Sequence, residues 1–184
     1  ASPQNRTHDP VQEGTPPDIL HLHDWPTACI AFLIREGSFK KFFEKTKVVF
    51  TIHNMDYQGK CSTHDIDKIG VLGSHYDSPV RLQDEYSNCL NLLKGGIVFS
   101  DKTVTVSPTY AKEVLLPENG KGLQSVILQY IHKFSGILNG VDYSYWNPEV
   151  DSYIYQRYSS SQLSGKKDNK RRLLEDLQMA KSEN

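Results

Sequence analysis

Apolar residues in this chain gather in short runs, and each run ends in a polar cluster. Ile19, Leu20 and Leu22 form the first run, with Pro16 and Pro17 before it and Pro26 where a helix would begin. The pattern predicts a buried strand over residues 18–22 and a helix over 26–37, the latter opened by proline and closed by Gly37. The β-branched and aromatic stretch 47–52 (KVVFTI) predicts a second strand, 102–106 (KTVTV) a third and 134–138 a fourth. A helix is predicted over 90–98, reaching back toward Arg81. Gly95 and Gly96 fall inside it, and each costs about 1 kcal/mol in a helix unless a neighbour packs closely there. Ser107 and Pro108 suit the cap and first position of a short helix over 108–116. Another helix is predicted over 122–132. The last, over 165–181, is charged, with Leu173, Leu174 and Leu177 on one face. Residues 60–79 read as a long excursion, 141–163 as an irregular connector, and 1–16 as a polar loop or frayed end.

Strands alternating with helices argue for an α/β protein built on a Rossmann-like open, mostly parallel sheet. Right-handed crossovers place all strand C-termini of such a sheet on one edge. Four polar clusters would then meet there: residues 21–25, 53–59, 107–110 and 139–142. Ligands of open α/β sheets bind at that edge, so the convergence predicts a cleft.

Composition narrows the partners. The 184 residues are enough for one domain or a large piece of a larger protein. A formal net charge of −1 implies neither a nucleic-acid nor an anionic-membrane partner, and no apolar run is long enough to span a bilayer. The first residue is Ala1, which suggests a chain cut from a longer one. Cys29, Cys61 and Cys89 are odd in number and lack zinc spacing, which favours a reducing, intracellular setting, with Cys29 a buried thiol.

The candidate chemistry sits in the first two clusters. His21 and His23 alternate along a strand, so they share a face opposite Leu22. With Asp24 and His53 they form a conceivable metal set, but His-x-His alone is a thin motif and a hydrogen-bonded core histidine is the plainer reading. Asp24 suits either a helix cap or an acceptor for a sugar hydroxyl. Trp25 and Tyr57 offer flat faces to a pyranose, whereas Trp146 reads as structural. His53 beside Asn54 can donate to a sugar hydroxyl or sit near developing charge. GxGxxG, GxxxxGK[ST] and GxSxG are all absent, so dinucleotide, P-loop and α/β-hydrolase readings lack support.

These residues resemble a known family. His21-Leu22-His23-Asp24-Trp25, Phe50-Thr51-Ile52-His53-Asn54 with Tyr57-Gln58-Gly59, Thr105-Val106-Ser107-Pro108-Thr109-Tyr110, and Gly136-Ile137-Leu138-Asn139-Gly140-Val141-Asp142 with Trp146-Asn147-Pro148 are similar to plant starch synthases and bacterial glycogen synthases. The resemblance covers residues 17–177. Gly73-Ser74-His75-Tyr76-Asp77 and Lys94-Gly95-Gly96 resemble plant classes four and five more than the granule-bound class. It implies a two-domain GT-B glycosyltransferase with two Rossmann-like domains facing across a cleft. Residues 17–140 would be the latter part of the first, glucan-binding domain, 141–163 a linker and 164–184 the opening helix of the second. It implies transfer of glucose from ADP-glucose to the non-reducing end of an α-1,4-glucan, with retention. Asp24 and His53 would be catalytic, and His23, Trp25, Asn54, Tyr57, Gln58 and Asn139 substrate-binding. No metal or other cofactor is implied, since ADP-glucose is itself a substrate. The partners are that donor and the glucan, with protein partners open, and the location would be a plastid. The family's upstream Lys-x-Gly-Gly-Leu motif and its donor-gripping second domain are missing from the chain, so the 184 residues should hold half a cleft and be inactive alone. A non-catalytic synthase-like protein that binds glucan or partners in starch granule initiation is the alternative. A sucrose synthase fits the His-Asp-Trp and His-Asn-x-x-Tyr-Gln-Gly pair less well.

Overall fold

The computed structural model describes residues 14–179, which divide into two compact units, one through Leu138 and the other from Asn139 onward. The predicted polar loop up to residue 13, and the end of the last predicted helix beyond residue 179, lie outside the described residues. In chain order the elements are β1 (Ile19–His23), α1 (Asp24–Glu36), β2 (Lys47–Ile52), β3 (Lys60–Cys61), α2 (Thr63–Asp67), α3 (Gly73–Tyr76), β4 (Leu90–Asn91), α4 (Leu92–Phe99), β5 (Lys102–Thr105), α5 (Pro108–Glu113), α6 (Pro117–Gly120), α7 (Gln124–Gln129), a 3₁₀ turn (Ile131–Lys133), β6 (Phe134–Gly136) and α8 (Ser164–Asp176).

The first unit is built on a parallel sheet of order β1-β2-β5-β6. The register pairs His23 with Thr51, Ile52 with Thr105 and Thr105 with Gly136, so the strands finish level with one another. Residues 24–25, 53–59 and 107–110 therefore leave the sheet along one edge, as three of the four predicted clusters require. The fourth begins at Asn139, in the second unit.

Helix α1 buries Ala28, Ala31 and Ile34 in one core with Leu22, Val48, Phe50 and Ile52, and buries Phe32 on a second. Gly37 closes the helix by donating its N–H to the Leu33 carbonyl at 2.8 Å. The glycine pair in α4 has the close neighbours that its predicted cost demanded. A Cβ on Gly96 would lie 2.4 Å from the Phe50 ring, and one on Gly95 would sit 3.2 Å from Leu82 and 3.3 Å from Phe32. The glycines let α4 approach the sheet and α1 at the same time. Gly96→Ala is expected to destabilise the protein by about 1–3 kcal/mol, because the Phe50 ring has no room to yield in a dense core. Urea unfolding followed by circular dichroism measures it.

Several boundaries differ from the sequence reading. Helix α4 begins at Leu92, not near Arg81. Asp84 stops it: its carboxylate accepts from the Tyr86 N–H at 3.1 Å and the Ser87 hydroxyl at 2.6 Å, folding residues 84–87 into a turn. Asn91 then caps α4, accepting from the Lys94 N–H at 3.1 Å. The excursion after residue 60 is ordered. Ser62 and Asp65 form a reciprocal capping box on α2, and Ile66, Tyr76, Leu82 and Leu90 pack with Phe32 into a second apolar cluster. Helix α5 ends at Glu113 and β6 at Gly136, although Ile137 still donates to the Thr105 carbonyl at 2.8 Å. Ser107 caps α5 as its position predicts, accepting from Thr109 and Tyr110. Cys29 is half-buried rather than buried.

A half-buried amine ties α4 to the approach of β6. Lys133 Nζ donates to the carbonyls of Val98 at 2.9 Å and Ser100 at 2.6 Å, and stands 4.6 Å from the Tyr130 ring centroid. Burial pulls its pKa down to about 8, with the Arg35 charge adding to the fall and Asp101 opposing it. The folded value lies below the ordinary 10.5, so between those values the unfolded chain binds more protons. The contribution of Lys133 to stability should therefore rise as pH climbs through this window and be lowest below it. Urea unfolding at several pH values should show native Lys133 gaining on Lys133→Met in that interval. A constant gap would contradict it.

Within the second unit, Asp142 accepts from the Ser144 N–H and hydroxyl, at 2.9 and 2.6 Å, and organises the turn leading to Trp146. Trp146 is 67% exposed, with its ring edge-on to Tyr145, so the expected structural burial is not what the fold provides. Asn169 on α8 exchanges hydrogen bonds with the Gln156 backbone and so holds the helix against its own connector. Leu173 and Leu177 are exposed on that helix. No helix among the described residues is long and apolar enough to cross a membrane.

Candidate active site

Asp24 is the pivot of the strand-end rim. It follows β1 directly with φ at +52°, in the left-handed region that non-glycine residues avoid. That turn does not aim its carboxylate at its own helix, so the capping reading is corrected. Oδ1 instead accepts from the His53 N–H at 2.7 Å and, more loosely, from the Asn54 N–H at 3.4 Å. The N-terminus of α1 is tied by Thr27, whose hydroxyl accepts from the His23 N–H at 2.7 Å and donates to the His23 carbonyl at 2.8 Å. The carboxylate thus clamps the end of β2 to the end of β1.

Three imidazoles lie beside this clamp. His21 and His23 are exposed on the face of β1 opposite buried Leu22, as alternation predicts. Their ring centroids are 4.3 Å apart, and His23 is 5.3 Å from His53. His23 Nδ1 and His53 Nε2 are hydrogen-bonded at 3.0 Å, and His21 Nε2 meets the Thr51 hydroxyl at 2.7 Å. Partial burial, then the neighbouring charges of His23 and His53, hold the His21 pKa below the ordinary histidine value. Among the described residues no group of three or more His, Cys, Asp or Glu side chains is arranged to hold a metal ion.

The remaining candidates divide. Asn54 folds the loop, its side-chain oxygen accepting from the Asp56 N–H at 2.8 Å. Tyr57 projects from it, 69% exposed and open to a ligand. Trp25 is 38% exposed and lies against Gly59, where a Cβ would come within 2.5 Å of the indole. Gly59 also holds φ at +62°, so the glycine both permits the turn and seats the tryptophan. Gln58, expected to shape a sugar pocket, is buried with its amide hydrogen-bonded within the protein. Its amide donates to the Met55 and Lys121 carbonyls, both at 3.0 Å, and accepts from Asn91 at 2.6 Å. Asn139 opens the second unit. Sequence reasoning passed over Thr51 and Gly59, which support His21 and Trp25. Thr51 lies opposite His23 in the strand register, a pairing visible only once β1 and β2 are aligned.

Below the rim lies a buried polar network. Asn91 Nδ2 bridges Gln58 Oε1 and Asp84 Oδ2, at 2.6 and 2.9 Å, and Lys60 pairs with Asp84 at 3.0 Å. Burial would raise the Asp84 pKa, but hydrogen bonds from Ser87, Asn91, Lys60 and the Tyr86 N–H outweigh it and hold the carboxyl well below its usual range.

A family model described as "Starch synthase catalytic domain" matches residues 7–129. The chain belongs to the starch synthase catalytic domain family. It is 54% identical over 154 residues to a glycogen synthase of Protochlamydia amoebophila, covering 83% of this chain and 31% of that protein. It is 40% identical over 174 residues to probable starch synthase 4, chloroplastic/amyloplastic, of Arabidopsis thaliana, covering 94% of this chain and 17% of that one. Its fold matches the catalytic domain of Arabidopsis starch synthase IV bound to ADP and acarbose, with TM-score 0.76, 40% identity, and coverage of 91% of this chain and 34% of the solved one. The parallel α/β sheet is thus that of a GT-B starch synthase catalytic domain. The chain spans 31% and 17% of the lengths of these two curated relatives and 34% of the solved chain.

Proposed function

We propose that this chain forms the glucan-facing part of a synthase that transfers glucose from ADP-glucose to the non-reducing end of an α-1,4-glucan, with retention at the anomeric carbon. The observation that carries it is the clamp of Asp24 on the His53 N–H, which gathers two distant polar clusters on one strand-end rim. A nucleotide sugar already carries a good leaving group. The rim therefore has to position groups and stabilise charge more than supply a strong nucleophile. His53 would face the transferred glucose, with Tyr57 offering a stacking face to the acceptor and Asn54 shaping the loop between them. The ADP and acarbose bound to the Arabidopsis structure support substrates of these classes. No cofactor is proposed. A plastid location, and kinship with plant classes four or five, draw support from the Arabidopsis relative but not from the bacterial one.

The reading is tested by grafting. The 184 residues alone should incorporate no labelled glucose from ADP-glucose into maltooligosaccharide. The same residues replacing their counterparts in the Protochlamydia glycogen synthase should yield an active enzyme. A folded but inactive graft would favour the alternative, a non-catalytic glucan-binding protein. Extension by the 184 residues alone would overturn the half-cleft reading.

A further inference from the structure

The histidine trio does more than line the rim. Every hydrogen bond between two neutral imidazoles needs one protonated and one bare nitrogen, so the 3.0 Å bond between His23 Nδ1 and His53 Nε2 forces the two rings into the same tautomer. Two arrangements satisfy it. If His23 Nδ1 carries the proton, both rings take the less common Nδ1–H form. If His53 Nε2 carries it, both rings take the Nε2–H form ordinary for free histidine. The second arrangement leaves His53 Nδ1 as a bare acceptor.

We propose that His23 is a positioning residue that fixes the ring orientation and Nε2–H tautomer of His53, leaving His53 Nδ1 to accept a hydrogen bond from a sugar hydroxyl. His21 is its buttress. Its ring lies tilted against His23, 4.3 Å between centroids, and is itself held by Thr51, a buried residue of β2, so the His23 ring packs on an anchored neighbour. Asp24 fixes the His53 backbone and His23 fixes the His53 ring, two restraints from consecutive residues of one strand end. This assigns His23 a different part from the sugar contact implied by resemblance. The sugar-accepting role rests on the proposed function, whereas the tautomer lock does not.

The test is read first on the chain itself. At pH 8, above the ordinary histidine value of about 6.5, long-range ¹⁵N–¹H correlation spectra report which ring nitrogen carries the proton. His53 should show a single Nε2–H pattern. In His23→Leu the pattern should collapse toward a tautomer average, while the backbone amide spectrum stays folded. His23→Asn, whose amide oxygen can take the place of Nδ1, should restore it. An unchanged His53 pattern in folded His23→Leu would overturn the lock, as would an Nδ1–H pattern in the wild type. In the active graft, His23→Leu should lower kcat at least tenfold with little change in KM for ADP-glucose, and His23→Asn should recover most of it. A lock seen in the spectra with no kinetic effect would sink the sugar-facing role of His53 and leave the lock standing.

Discussion

Asp24→Ala in the glycogen synthase graft is expected to lower glucosyl transfer about 100-fold, the scale of loss from displacing a reacting group by about 1 Å. The reason is positional. Without the carboxylate, the His53 and Asn54 N–H groups lose their acceptor and the end of β2 is no longer tied to β1. Asp24→Asn separates this cause from direct action of the charge on the sugar. An amide oxygen can accept the same two bonds, so this variant should stay within about tenfold of the parent if the clamp dominates. Equal losses in the two variants would mean that the negative charge itself serves the reaction. Asp24→Gly should be more stable than Asp24→Ala, because glycine relieves the φ of +52° while both variants lose the clamp.

Asn91→Asp should be the most damaging single-atom change in the core. Asn91 is fully buried, and its amide nitrogen sits 2.9 Å from Asp84 Oδ2 and 2.6 Å from Gln58 Oε1. Aspartate puts an oxygen where that donor stood, against two acceptors. Both carboxylates cannot stay charged at that separation, and the protonated form must forgo bonds that Asp84 now relies on. A loss of about 3–5 kcal/mol is expected at neutral pH, the scale of leaving an uncompensated charge in a buried site. Asn91→Ala should cost less, about 2–3 kcal/mol, since it removes the cap and the bridge without adding a charge. Denaturant unfolding at pH 7 ranks them, and the reverse order would show that the network tolerates a second carboxylate.

The sheet was legible because its strands are short, apolar and bounded by polar clusters, and because parallel strands place their ends together. The pairing of Leu22 inward with His21 and His23 outward followed from alternation alone. What the sequence could not show was set by single side chains acting at a distance. Asp84 turns the chain where periodicity continued a helix. Gln58 looks like a ligand residue beside Tyr57, yet its amide is taken by Met55, Lys121 and Asn91, two of them far along the chain. Asp24 reads equally as a helix cap or a sugar acceptor, and only its left-handed backbone shows the carboxylate turned toward the next strand. The Asn139 cluster opens a separate unit. Within that unit, a groove beside α8 lined by Tyr153, Tyr155, Leu163 and Leu173 had no counterpart in the sequence reading.

The strand-end rim is proposed to hold the glucan. Titrating the ¹⁵N-labelled chain with maltoheptaose tests it most directly. Amide shifts should concentrate at His53, Asn54 and Tyr57, and Tyr57→Ala should weaken the response several-fold. Shifts confined to the groove of Tyr153, Tyr155 and Leu173, with the rim silent, would contradict it.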